Sequence, residues 1–92
     1  MDTITYHITI SGQVQGVAFR HYTKSYADRI HVSGWVRNRP DGSVETVISG
    51  SRQQVDDMIA WLHTGSPFSV VTDVSVSETQ QDVRSGSFEI LY

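Results

Sequence analysis

The sequence predicts an α+β sandwich in which two helices cover one face of a mixed, largely antiparallel sheet. The first observation is the order of its hydrophobic patterns, which runs β-α-β-β-α-β and ends with a short terminal strand. The second is the turn Pro40-Asp41-Gly42, which joins the two middle strands. The third is the length of 92 residues, which predicts one domain over residues 1–92.

The first strand and the first helix are predicted by a change of hydrophobic period. Apolar residues first alternate with polar ones, as in a half-buried strand: Ile4, Tyr6, Ile8 and Ile10. They then recur at spacings of three and four, which predicts a helix with one buried face: Phe19, Tyr22, Tyr26, Ala27 and Ile30. A strand followed by a helix therefore opens the domain.

The middle of the chain predicts a hairpin and a second helix. The hairpin strands cover residues 32–39 and 43–49, and the turn between them combines proline, aspartate and glycine, each suited to tight backbone geometry. Ser51 and Gln54 have the spacing of a capping box at a helix start. The helix carries its apolar residues at helical spacing and ends near a glycine and a proline: Val55, Met58, Ile59, Leu62, Gly65 and Pro67.

The last segments complete a ferredoxin-like fold. Residues 70–77 alternate as a strand, residues 79–86 are polar and loop-like, and residues 87–92 form a short strand with Phe88, Ile90 and Tyr92 on one face. In the split β-α-β topology the first two strands run parallel, with the third strand between them. The end of strand one, the start of helix one and the end of strand two should therefore lie at one edge.

The charge and cysteine content narrow the classes of function. The formal net charge is −3, with one lysine and six scattered arginines, which argues against a nucleic-acid partner. The absence of cysteine excludes disulfides, thiolate nucleophiles and Cys-ligated metals, and it fits a reducing compartment. No apolar run suggests a membrane span, and residues 1–6 do not resemble a signal peptide. We therefore expect a cytoplasmic monomer without a membrane partner.

Residues 11–20, which read SGQVQGVAFR, predict a phosphate-sized anion site. Gly12 and Gly16 lie between the first strand and the first helix, where glycine allows backbone N–H groups to turn inward. Arg20 lies in the first turn of the helix, where a cation opposes the helix macrodipole unless an anion is bound there. The alternative is an ordinary strand-to-helix turn with a surface arginine beside it.

Asn38 is the second candidate site residue. It shares strand parity with Val32, Gly34 and Val36, so it continues a row of inward-facing residues. A buried amide is costly unless it is hydrogen-bonded. The side chain either caps the turn at Pro40 or works with the glycine loop, which the predicted topology places at the same edge.

Other polar residues have simpler structural interpretations. The four histidines, His7, His21, His31 and His63, lack metal-ligand spacing, and the position of His21 beside Arg20 is explained by a polar helix face. Ser11 has no accompanying His/Asp pattern, so no catalytic triad is inferred. The two tryptophans are interpreted as core or core-edge residues, and Asp56 and Asp57 as a solvated helix face.

Two separated motifs closely resemble the acylphosphatase family. The first is GQVQGVAFR at residues 12–20, and the second is GWVRN at residues 34–38, continuing through DGSVE at residues 41–45. Gly65-Ser66-Pro67 and the closing FEILY also resemble family features. The resemblance covers nearly the whole chain and implies the ferredoxin-like fold. It also implies hydrolysis of the carboxyl–phosphate anhydride of an acyl phosphate, without a metal or other cofactor.

The same resemblance implies the site residues. The phosphate-binding arginine corresponds to Arg20, and the water-orienting asparagine corresponds to Asn38. The phosphate cradle corresponds to the backbone of Gln15, Gly16, Val17, Ala18, Phe19 and Arg20. Relatives often carry a larger residue at the position of Ala18. Inorganic phosphate and sulfate are expected to fit the same cradle.

Two alternatives belong to other functional classes. Ferredoxin-like domains also serve as binding modules for RNA, metals or metabolites. The RNA version calls for paired aromatics in an RNP1-like pattern, which this sequence lacks. A carbamoyl-phosphate-handling domain within a larger protein is the second alternative, and the length of 92 residues argues against it.

Overall fold

The five strands and two helices follow in the predicted order. The structure is a computed structural model that describes residues 3–92, so residues 1 and 2 of the predicted domain lie outside the described range. The elements are β1 (Ile4–Gln13), α1 (Phe19–Ile30), β2 (Ser33–Asn38), β3 (Val44–Gly50), α2 (Arg52–Thr64), β4 (Val70–Glu78) and β5 (Phe88–Leu91). Within residues 3–92, neither helix has the length and apolar character that crossing a bilayer requires.

The sheet has the strand order β4-β1-β3-β2-β5. The central strand β3 is antiparallel to both β1 and β2, so β1 and β2 run parallel on either side of it, as predicted. Val44 pairs with Ile10 on one side and with Asn38 on the other. The end of β1 and the end of β2 therefore lie at the same edge of the sheet, where α1 begins.

The core lies between the helices and one face of the sheet. The sheet contributes Ile8, Ile10, Val36, Val44 and Ile48, and the helices contribute Phe19, Ala27, Val55, Met58 and Leu62. These side chains are the apolar positions of the alternating and helical patterns in the sequence. Burial of this face is the main force that holds both helices against the sheet.

The buried face of α1 differs from the prediction at two neighbouring positions. Tyr22 is 36% exposed, whereas Thr23 is fully buried and its hydroxyl donates to the Phe19 carbonyl at 2.7 Å. The buried residues Phe19, Thr23 and Ala27 recur at intervals of four, which places them along one side of the helix. The hydrophobic pattern does not indicate Thr23, because threonine is polar. Its burial is possible because its hydroxyl is hydrogen-bonded to the preceding turn of the helix.

The capping box at α2 is confirmed. The Ser51 side chain accepts from the backbone N–H of Gln54, while the Gln54 side chain accepts from the Ser51 N–H at 2.8 Å. The helix ends at Gly65, whose N–H donates to the Trp61 carbonyl at 2.8 Å. Both ends of the second helix are therefore set by the residues that the sequence indicated.

The hairpin turn is closed by Asp41 and not by Asn38. Asp41 Oδ1 accepts from both the hydroxyl and the backbone N–H of Ser43, at 2.6 and 3.0 Å. These two hydrogen bonds lower the pKa of the Asp41 carboxyl. The capping interpretation of Asn38 is wrong, because the aspartate within the turn already satisfies the backbone of the turn.

The sheet face opposite the helices carries a buried carboxylate. Glu45 accepts from the Arg37 guanidinium at 2.7 Å and lies in hydrogen-bonding contact with His7. Burial opposes its ionisation, but the hydrogen bonds and charges of His7 and Arg37 outweigh burial and lower the pKa of Glu45. The folded state therefore stabilises the ionised carboxylate relative to the unfolded chain.

Glu45→Gln is expected to remove part of the acid sensitivity of folding. The lowered pKa of Glu45 adds stability above the pKa that the carboxyl has in the unfolded chain, and this stability is lost as the pH falls through the folded value. Near neutral pH the free energy of unfolding of the variant should be about 1–2 kcal/mol lower than that of the native protein. This difference should shrink in acid. Urea unfolding of both proteins across this pH range measures the difference, with Glu89→Gln at an exposed position as the control. A difference that does not depend on pH would contradict the role given to the Glu45 carboxylate.

Candidate active site

A cleft of about 170 Å³ lies at the edge where β1, α1 and β2 meet. Five of the predicted site residues line it: Gly16, Ala18, Phe19, Arg20 and Asn38. Gln15 and Val17 belong to the same loop but do not line the cleft. The tertiary structure thus brings the glycine loop, the arginine and the asparagine to one place.

The backbone of the loop turns sharply just before α1. Gly16 has φ 74°, and Ala18, the N-cap of α1, has φ 60° and ψ 23°, a left-handed conformation that costs about 1–2 kcal/mol for a residue with a Cβ. Within residues 3–92, no N–H of residues 16–20 donates to a backbone carbonyl. Successive free N–H groups at a helix start form a concave site that favours an anion.

Arg20 is held at the cleft by the end of the chain. Its Nη1 donates to the Leu91 carbonyl at 3.4 Å, and its guanidinium lies 4.9 Å from the centre of the Tyr92 ring. None of the ion pairs among residues 3–92 involves Arg20, whereas four of the other arginines pair with carboxylates. Its charge is therefore directed to the cleft without a carboxylate to neutralise it.

The cleft has a positive electrostatic environment. Among residues 3–92, no aspartate or glutamate lines it, and the first turn of α1 contains no acidic residue. The partial positive charge of the helix N-terminus adds to the charge of Arg20. A cation beside a helix N-terminus is unfavourable by itself, so the arrangement gains stability when an anion occupies the cleft.

Asn38 presents an unsatisfied acceptor in the same cleft. Its Oδ1 is buried and has no hydrogen-bond partner among the described residues. Buried amide oxygens are nearly always hydrogen-bonded, so one without a protein partner calls for a ligand or a water molecule. Asn38 is the only asparagine of the sequence and is the last residue of β2.

Three contacts around the cleft were not apparent from the sequence. The Gln15 side-chain amide donates to the carbonyls of Arg39 and Ser43, at 2.7 and 2.8 Å, and ties the loop to the hairpin that carries Asn38. Tyr92, predicted to continue the inner face of β5, is 99% exposed and lies against Arg20 instead. The third contact is the hydrogen bond from the Ser66 hydroxyl to the Val17 carbonyl, and its role is described below.

Of the four histidines, only His21 lines this cleft. A larger groove of about 570 Å³ contains His31 but no arginine or lysine, and Asn38 does not line it. His21 lines the cleft, but it is exposed and meets the Tyr22 ring edge-on, with ring centres 6.3 Å apart. Within the described range no three His, Asp or Glu side chains are grouped as a metal site.

Fold and cleft together define a ferredoxin-like protein with a site suited to an anion at the start of its first helix. The family model for acylphosphatase matches residues 6–90. An acylphosphatase from Syntrophobacter fumaroxidans is 46% identical over 92 residues, which cover 100% of this chain and 95% of that protein. The chain belongs to the acylphosphatase family, whose members are hydrolases of small-molecule acyl phosphates.

Solved structures agree with this assignment. The crystal structure of acylphosphatase from Bacillus subtilis has a TM-score of 0.90 and 39% identity, and the match covers 97% of this chain and 99% of that one. An acylphosphatase from Coxiella burnetii has a TM-score of 0.91 and 32% identity, with coverage of 98% and 94%. The ferredoxin-like fold predicted from the sequence is therefore confirmed.

Proposed function

We propose that this enzyme cleaves acyl phosphates in the cleft that Arg20 and Asn38 share. Arg20 and the backbone of residues 15–20 bind the phosphoryl group, and Asn38 orients the attacking water. The observation that carries this proposal is the shared lining: Arg20, which has no carboxylate partner among the described residues, and Asn38, whose Oδ1 has no hydrogen-bond partner there, both line one cleft beside free helix N–H groups. The products are a carboxylate and inorganic phosphate.

The leaving group explains why the cleft needs no general acid. An acyl phosphate releases a carboxylate, whose conjugate acid has a pKa near 4, so it departs unprotonated at neutral pH. No carboxylic acid of the described part of the chain lines the cleft to supply a proton. Catalysis then depends on placing the reactants and on stabilising charge at the phosphoryl oxygens, as is general for phosphoryl transfer.

The phosphoryl charge is stabilised by Arg20 and by the loop. A guanidinium presents paired N–H donors that match two phosphoryl oxygens, and the backbone N–H groups of the cradle add further donors. The carbonyl of Leu91 and the ring of Tyr92 hold the guanidinium in place before substrate arrives. Donors that are already oriented need no reorganisation during the reaction, which lowers the barrier.

Asn38 orients the nucleophile. Its Oδ1 accepts a hydrogen bond from water and directs the water oxygen toward phosphorus, opposite the acyl oxygen. The new O–P bond forms as the P–O bond to the acyl group breaks, and the electron pair leaves with the carboxylate. A neutral amide is a poor base, so the proton of the water passes to a phosphoryl oxygen.

Release of phosphate from acetyl phosphate tests the proposed function. Purified protein should produce inorganic phosphate and acetate in equal amounts, well above spontaneous hydrolysis. Arg20→Ala should lose this activity, whereas Arg29→Ala, at the far end of the same helix, should keep it. Equal activity of the two variants would place the chemistry outside the proposed cleft.

Activity should persist in excess EDTA and gain little from added magnesium. Arg20 and the cradle supply the positive charge that a metal supplies in other phosphoryl-transfer enzymes. Inorganic phosphate and sulfate should instead compete with acetyl phosphate, because both anions fit the same N–H groups and guanidinium. Steady-state kinetics with each additive measure these effects, and loss of activity in EDTA with recovery on one metal would overturn the mechanism.

We also propose that the enzyme works as a cytoplasmic monomer without a nucleic-acid partner. The cysteine-free composition suits a reducing compartment, and the net charge of −3 does not suit a phosphate backbone. Sedimentation at micromolar concentration and localisation of the tagged protein in cells test the two statements. A dimer would contradict the monomeric state, and a secreted protein would contradict the cytoplasmic location.

A further inference from the structure

We propose that Ser66 is a positioning residue of the phosphate cradle. Its hydroxyl holds the peptide between Val17 and Ala18 so that the Ala18 N–H faces the phosphoryl group. This inference rests on the proposed function, because it concerns the same cradle. Ser66 lies after α2, remote from the loop in sequence, and does not line the cleft itself.

The geometry that carries this inference is one hydrogen bond at the back of the cradle. The Ser66 hydroxyl donates to the Val17 carbonyl at 2.9 Å, and Ser66 is only 3% exposed. In a trans peptide the C=O and the following N–H point in opposite directions. No cis peptide occurs among the described residues, so fixing the Val17 carbonyl also fixes the direction of the Ala18 N–H.

The residues that line the cleft agree with this orientation. Gly16 and Ala18 line the cleft, whereas Val17 between them packs against the core. The Val17 carbonyl therefore points toward Ser66 and away from the anion. Without the Ser66 hydroxyl, the Val17 carbonyl is free to turn toward the cleft, where its partial negative charge would repel a phosphoryl oxygen. The same rotation of the peptide would turn the Ala18 N–H away from the phosphoryl group.

The turn that carries Ser66 is anchored by hydrogen bonds of its own and by packing on α1. The Ser69 N–H and the Ser69 hydroxyl both donate to the Ser66 carbonyl, at 3.1 and 2.8 Å. Gly65 has φ 74°, and a Cβ there would lie 2.8 Å from the Phe19 ring, so the turn packs closely on the first residue of α1. This contact gives Ser66 a fixed distance from the loop that it orients.

Ser66→Ala should weaken inorganic phosphate binding and raise KM for acetyl phosphate, each by about 10-fold. Ser69→Ala is the matched control, because it removes a hydroxyl from the same turn, while the Ser69 N–H still donates to the Ser66 carbonyl and the bond between Ser66 and Val17 is left in place. The control should bind phosphate like the native protein. Similar phosphate affinities for the two variants would overturn the inference.

A phosphate titration followed by NMR tests the inference even if Ser66→Ala folds poorly. In the native protein the Ala18 amide proton should shift downfield as inorganic phosphate is added, as expected for a new charge-assisted hydrogen bond. In Ser66→Ala this shift should shrink more than that of the Gly16 amide. Ser66→Thr, which keeps a hydroxyl, should restore it. An Ala18 amide in native protein that does not respond to phosphate would refute the inference.

The outcome also separates this inference from the proposed function. If Arg20→Ala loses phosphate binding while Ser66→Ala behaves like Ser69→Ala, the cleft is the active site and only the role of Ser66 is wrong. If Arg20→Ala and Ser66→Ala both keep native phosphate affinity and activity, the proposed site itself is wrong.

Discussion

Replacing Arg20 with alanine is expected to weaken the binding of both inorganic phosphate and acetyl phosphate, each by about 10- to 100-fold. Each hydrogen bond to a charged group contributes about 1.5–3 kcal/mol, and a bidentate pair contributes more. The loss should be large because no other arginine or lysine lines the cleft. Isothermal titration with phosphate and steady-state kinetics measure the two effects on the same protein.

Arg20→Lys should also fail, and this variant tests the geometry of the contact. An ammonium keeps the charge but cannot donate two parallel hydrogen bonds to a phosphoryl group, nor stack on the Tyr92 ring as a planar guanidinium does. Arg29→Ala, in the last turn of the same helix, controls for the general loss of positive charge. Near-native hydrolysis by the lysine variant would show that the bidentate contact is not required.

Replacing Asn38 with alanine is expected to lower kcat by about 100-fold or more, the effect of losing the alignment of a reacting group. Phosphate binding should change little, because the cradle and Arg20 remain in place. This combination distinguishes a residue that acts on water from one that binds phosphate. Kinetics with acetyl phosphate and phosphate titration of the same preparation measure both quantities.

The Asn38 experiment needs proof that the variant is folded. The Oδ1 atom is buried and has no hydrogen-bond partner within residues 3–92, so its removal should cost little stability. Thermal unfolding compared with the exposed control Gln53→Ala on α2 checks this. A folded Asn38→Ala protein that keeps its kcat, or that loses phosphate affinity as severely as Arg20→Ala, would contradict the water-orienting role.

Local sequence was sufficient for the elements and for the residues at their ends. Alternation around Ile8 and the four-residue spacing around Met58 indicate which faces are buried, because side-chain direction follows the backbone period. The capping box at Ser51 and the turn at Gly42 depend on neighbours within a few residues. The prediction was less accurate at Tyr22 and Thr23, since periodicity alone does not identify a threonine satisfied by its own helix.

The sequence also predicted the site residues, but it could not specify what holds them. The motifs and the topology placed Arg20 and Asn38 at one edge, since parallel strands on either side of β3 end together. The contacts that orient them join distant residues: Leu91 with Arg20, Ser66 with Val17, and Gln15 with the hairpin. None of these polar contacts follows a periodic pattern, so only the packing of α1 and α2 on the sheet, with β5 at its edge, decides their partners.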